Sequence, residues 1–73
     1  MTFGGVCRGI VTGMGDPSGK GRVMVHVPGA GSAWAPVCIP FGAQGGDIAP
    51  GGTVVVAFEG GDPARPIVLG RLA

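Results

Sequence analysis

The sequence predicts an all-β domain, a small barrel of five short strands with no helix of consequence. Three observations carry that expectation. Seventeen glycines and seven prolines interrupt 73 residues at short intervals. Between them, Val and Ile gather in brief runs, and no segment long enough for a helix keeps a helical period free of Gly or Pro. Glycine and proline at this level suit a disordered chain as well, but 45% hydrophobic and only 12% charged residues oppose disorder. The glycines and prolines are therefore read as turns.

Taken in order, residues 1–5 form a flexible N-terminus, and the first strand is "VCRGIVTG", Val6 to Gly13. The turn stretch "MGDPSGKG" follows. The second strand is "RVMVHVP", Arg22 to Pro28, where Val23, Val25 and Val27 alternate with Met24 and His26 in the period of a half-buried strand. After "GAGS" comes "AWAPVCIP", Ala33 to Pro40, in which Pro36 marks an edge or a bulge. The glycine-rich "FGAQGGDIAPGG" leads to "TVVVAF", Thr53 to Phe58, apolar on both faces and expected to be covered on both. "PIVLGRL", Pro66 to Leu72, is the fifth strand.

The link "EGGDPAR" reads as a stiff hairpin. Gly60 and Gly61 supply positive φ. Asp62-Pro63-Ala64-Arg65 has Asp and Pro where a type I turn takes them. Pro66 opens the next strand, where its missing N–H costs least. Glu59 or Asp62 pairs with Arg65, an exposed pair contributing about 0–1 kcal/mol. Gly60, Gly61, Asp62, Pro63 and Pro66 are thus structural turn residues that set the register of the last two strands.

The whole chain, 1–73, is one domain, and its size leaves an isolated subunit only marginally stable. Two cysteines and one histidine offer little metal or disulfide support, so oligomerisation is the remaining stabiliser. Pattern alone leaves two architectures open, the five-stranded Greek-key OB-fold barrel and an SH3-like barrel.

The net charge of +1 gives no electrostatic footprint for nucleic acid or an anionic membrane. No apolar stretch approaches the roughly 20 residues of a membrane span, and "MTFGGVCRGIV" lacks the pattern of a signal peptide. No Ser-His-Asp set, paired carboxylates or nucleotide loop is visible, so no enzyme, cofactor or catalytic residue is expected. The competing function is a single-stranded nucleic-acid-binding OB module, which the three Phe, one Trp and absent Tyr make a poor fit.

Contact surfaces are the sites to seek. Trp34 is an interface anchor or a core or half-buried strand residue, and Phe41, a large apolar residue in a loop, must cover something. Phe58 and Arg65 complete the interface candidates. His26 falls on the polar face of its strand, without zinc-motif spacing to Cys7 or Cys38. The two cysteines are expected as buried free thiols, with an intersubunit disulfide as the alternative. Arg8, Lys20, Arg22 and Arg71 form either a small basic patch or a solvated surface balanced by Asp16, Asp47, Glu59 and Asp62.

"GRVMVHVP", "SAWAPVCIP" and "PGGTVVVAFEGGDPARPIVLGRL", in that order, resemble the OB-fold domain of phage baseplate hub and spike proteins. That family includes baseplate assembly protein V, the OB domain of tail-associated lysozymes, and the valine-glycine-repeat spike proteins of type VI secretion. The matching positions are Gly21, Arg22, Val23, Val25, Trp34, Pro50, Gly51, Val54, Val56, Phe58, Gly61, Asp62, Pro63, Arg65, Pro66 and Gly70. Gly9 to Val11 and Asp16-Pro17 fit the first strand and loop. Gly52 departs from the family's acidic residue before the Val-rich strand.

The resemblance implies an OB-fold and a structural role in a contractile injection device. It implies a homotrimeric collar with a baseplate hub protein on one side and a spike or tail-tip protein on the other. The implied location is the virion tail, assembled in the bacterial host cytoplasm. Relatives continue into a lysozyme domain or a β-helical spike, whereas this chain stops after Ala73; the expectation is an OB collar alone.

Overall fold

The computed structural model describes residues 5–39, 41 and 48–72. Five strands form in chain order: β1 (Val6–Gly13), β2 (Val23–Val27), β3 (Gly31–Ala35), β4 (Thr53–Phe58) and β5 (Pro66–Arg71). A single 3-10 turn, Glu59–Gly61, joins the last two.

The sheet order is β3-β2-β1-β4-β5, every ladder antiparallel. Three strands run as a meander, and the fourth returns to lie beside the first, which is the Greek-key arrangement. The sheet then curls until its two edges meet. Val68 N–H donates to the Pro36 carbonyl at 2.9 Å and Cys38 N–H donates to the Val68 carbonyl at 2.8 Å. This parallel bridge between Val37 and Val68 closes the barrel. The order and the closure are those of the OB-fold, so the SH3-like alternative falls away.

Alternation decides what lies inside. Val23, Val25 and Val27 face inward from β2, Val54, Val56 and Phe58 from β4, and Val11, Ala35 and Val68 complete the core. Seven of these nine are valines, whose branched side chains suit the pleated, tightly curved wall. β1 is the strand shared by both halves of the barrel. It pairs with β4 through Val6 to Ile10 and with β2 from Ile10 to Gly13. Gly9 sits where these halves converge. A Cβ there would lie 3.1 Å from Val27 Cγ2 and 3.2 Å from both the His26 carbonyl oxygen and Val56 Cγ2.

β1 and β4 have the expected bounds. β2 is shorter at both ends, starting at Val23 and ending before Pro28. β3 differs more: it begins at Gly31 and stops at Ala35, not running from Ala33 to Pro40. Pro36 has no N–H to continue the ladder to β2, and from there the chain crosses to β5. β5 ends at Arg71, although Leu72 N–H still donates to the Thr53 carbonyl at 3.0 Å. The expectation that β4 is covered on both faces is met on one only: Val54, Val56 and Phe58 are buried, whereas Thr53, Val55 and Ala57 are half-buried. Residues 1–4 of the expected N-terminal arm, Pro40 and Asp47 lie outside the described residues.

Candidate assembly surfaces

Two Gly-Asp-Pro sequences, at 15–17 and 61–63, build the same device at different ends of the molecule. In each, the Asp carboxylate accepts a hydrogen bond from the N–H two residues on. Ser18 N–H donates to Asp16 Oδ1 at 2.9 Å, and Ala64 N–H donates to Asp62 Oδ1 at 2.9 Å. In each, the Asp carbonyl accepts from the N–H three residues on, Gly19 at 3.0 Å and Arg65 at 2.9 Å. Aspartate mimics a turn of backbone while proline presets φ, and the two together hold a loop without help from the core.

The ladder registers place these loops. Val6 pairs with Ala57, so the β4–β5 hairpin lies beside the start of β1. Gly13 pairs with Met24, so the β1–β2 loop lies beyond its end. The barrel therefore carries one internally bonded Asp-Pro turn at each end of its shared strand.

The β1–β2 loop carries the stronger network. Arg22 approaches Asp16 side-on, Nε to Oδ2 at 2.9 Å and Nη2 to Oδ1 at 3.0 Å, the two-pronged geometry of a guanidinium on a carboxylate. Arg22 N–H also donates to Oδ2 at 3.2 Å, and Ser18 Oγ donates to Oδ1 at 2.8 Å while accepting from Arg22 Nη2 at 3.1 Å. The Asp16 side chain is only 1% exposed. The Arg22 guanidinium, with lesser help from Ser18 and the Arg22 backbone, holds the Asp16 carboxyl well below its usual range against the opposing effect of desolvation. Asp16 in turn raises the Arg22 guanidinium above its ordinary value.

The β4–β5 hairpin is held by backbone. Gly60 and Gly61 take φ of 63° and 75°, as their sequence positions suggested. Asp62 N–H donates to the Glu59 carbonyl at 3.1 Å, and Glu59 N–H donates to the Arg65 carbonyl at 3.0 Å. Arg65 Nη2 stands 3.6 Å from Glu59 Oε2, both side chains more than half exposed, so this pair orients the hairpin and adds little stability. Asp62 spends its carboxylate on the turn, and Pro66 is buried at the mouth of β5.

The structure separates the four interface candidates. Phe41 is fully exposed. Arg65 is exposed on the hairpin. Trp34 is half-buried on the outer face of β3, opposite Met24, and is not a core residue. Phe58 is corrected: it is 8% exposed and belongs to the core, because it falls in phase with Val54 and Val56. It has no outward face to offer.

Other apolar side chains are exposed where the sequence drew no attention to them. Val6 and Ile10 on β1 and Leu69 on β5 stand on the outer side of the sheet, and Ile39 follows the closing bridge. For Val6, Ile10 and Leu69 the signal was present: they alternate with inward positions in strands whose other face already fills the barrel.

The four basic residues do not act together as one patch. Arg22 is committed to Asp16, while Arg8, Lys20 and Arg71 are exposed on β1, the β1–β2 loop and the end of β5. His26 is exposed, its Nδ1 3.1 Å from Ser32 Oγ on the neighbouring strand. Cys7 is half-buried against the core and Cys38 is exposed, so only Cys7 approaches the expected buried thiol. No three of His, Cys, Asp and Glu gather as metal ligands among the described residues.

The Asp16–Arg22 clamp escaped sequence reading because Arg22 was assigned to a strand and a patch. The two Gly-Asp-Pro sequences do not distinguish it, since the arginine after the second pairs with Glu59 and not with Asp62.

No curated protein matched the chain. A family model described as the type VI secretion system/phage-baseplate injector OB domain matches residues 7–72, a span from β1 through β5.

Proposed function

This chain belongs to the type VI secretion system/phage-baseplate injector OB-domain family, and we propose that it is an oligomeric collar, a homotrimer, joining the hub or tube end of such a device to its spike. The domain is a structural baseplate part. What carries the finer reading is the layout of the barrel. A collar has two axial faces and a lateral one. Here each end of β1 bears a turn whose Asp carboxylate is bonded within the turn. Such loops enter a contact already ordered, which lowers the entropy cost of docking. The side of the barrel bears Val6, Ile10 and Leu69, each 42–63% exposed. Apolar residues on such a surface are well placed to pack against further copies in closed symmetry.

In this reading the partners are a baseplate hub protein and a spike or tail-tip protein. The location is a virion tail or an equivalent secretion device, with assembly in the bacterial cytoplasm. The role requires no reaction. Sedimentation equilibrium at micromolar concentration tests it, with electron microscopy locating the tagged chain in the assembled particle. A trimer mass and axial density between tube and spike are expected. A stable monomer that binds no tail component overturns the proposal.

A further inference from the structure

The seam that closes the barrel is unlike its other joins. β1–β4, β2–β3 and β4–β5 are each registered over five residue pairs. Among the described residues the closing edge has one bridge, and both of its hydrogen bonds fall on Val68. β3 itself does not make it; the bridge comes from the three residues after Ala35. Pro36 supplies a carbonyl and has no N–H to give. Val37 turns inward, half-buried against the core, while Cys38 and Ile39 are exposed.

We propose that residues 36–39 form a strap that latches the barrel, and that the β3–β5 seam opens as a unit while the β1–β4 ladder stays intact. The physical reason is the number of interactions to be broken. Among the described residues, releasing the strap costs two hydrogen bonds and the packing of one valine side chain. Opening any of the three five-pair ladders breaks several bonds and exposes core residues on two strands. Local openings follow such differences in buried area and bonding. Opening also frees both polar groups of Val68 along the edge of β5. The strap thus gives the collar an adjustable edge within an otherwise continuous sheet.

Amide hydrogen exchange on the full chain, read residue by residue by NMR, tests this. Val11 N–H, which donates to the Gly52 carbonyl from a fully buried position in β1, is the reference. Cys38 and Val68 amides are expected to exchange at least about tenfold faster than Val11 after correction for intrinsic rates. The parallel bridge puts exposed Leu69 next to exposed Cys38. Leu69→Cys therefore puts a second thiol beside Cys38 across the seam, where a disulfide forms if the Cα atoms come within the usual separation of about 4.4–6.8 Å. Once oxidised, that variant is expected to slow Cys38 and Val68 to within about threefold of Val11, with reduction restoring the fast exchange. Val37→Ala is an independent arm, expected to speed Cys38 and Val68 severalfold more than Val11. Equal protection of all three amides in the unmodified chain overturns the proposal, as does equal acceleration of all three by Val37→Ala.

Discussion

Arg22 reaches back to Asp16 and grips both carboxylate oxygens, at 2.9 and 3.0 Å, across the whole β1–β2 loop. Ser18 fills the angle between them. The arrangement fastens the start of β2 to the turn that leaves β1. Asp16→Asn is expected to lower the thermal midpoint, because it replaces a charged acceptor of five hydrogen bonds with a neutral side chain carrying one acceptor oxygen. Arg22→Lys keeps the charge and loses the fork, and is expected to fall between wild type and Asp16→Asn. Thermal denaturation at fixed protein concentration checks both, and an unchanged midpoint for Asp16→Asn refutes the clamp.

The same pair sets an acid limit. Folding depresses the Asp16 carboxyl below its ordinary value. The unfolded chain therefore takes up a proton at a pH where the folded chain does not, and acid favours unfolding. The stabilisation is complete above the unfolded aspartate value of about 3.9 and declines steadily as pH falls below it. Denaturant midpoints measured from pH 7 down to pH 2 are expected to show this decline, and Asp16→Asn is expected to flatten it.

Gly9→Ala is expected to destabilise the fold by about 1–3 kcal/mol, the usual cost of forcing a methyl into a packed wall. The added Cβ would press on Val27, the His26 carbonyl and Val56 at once. Gly13→Ala is the control: its Cβ would meet only Met24 Cβ, at an ordinary 3.6 Å. Chemical denaturation of the two variants side by side is the measurement, and similar losses would contradict the account of Gly9.

Leu69→Glu is expected to weaken self-association while leaving the barrel folded, because Leu69 is 42% exposed in the single subunit. Val68→Glu, one residue away and wholly buried, is expected to prevent folding by placing a charge in the core. Sedimentation velocity and circular dichroism separate the outcomes. A Leu69→Glu protein that assembles like wild type would remove this side of β5 from the subunit contact.

A titration with labelled single-stranded DNA at low salt is expected to show no tight, salt-sensitive binding. Trp34 is the one aromatic on the outer faces of β2 and β3 among the described residues, and Arg22 is already paired. Binding of that kind needs stacked aromatics over a positive groove. A steep salt dependence would favour the nucleic-acid reading instead.

Strand identity, the β4–β5 turn and the inward set of valines were all readable from the chain alone. Each depends on neighbours in sequence: alternation for Val23, Val25 and Val27, positive φ for Gly60 and Gly61, ring geometry for Pro63 and Pro66. The OB-fold barrel was legible through the family resemblance, and Phe58 could have been placed by its phase with Val54 and Val56; the closing partner of β5 and the partner of Arg22 were decided only when distant segments met. Pro36 looked like a blemish within one strand, and folding made it the point where the chain leaves β2 for β5. Arg22 looked like surface charge until the β1–β2 loop brought Asp16 against it. Local conformation follows from short-range sterics that a sequence displays, whereas pairing across a loop depends on where the whole sheet bends.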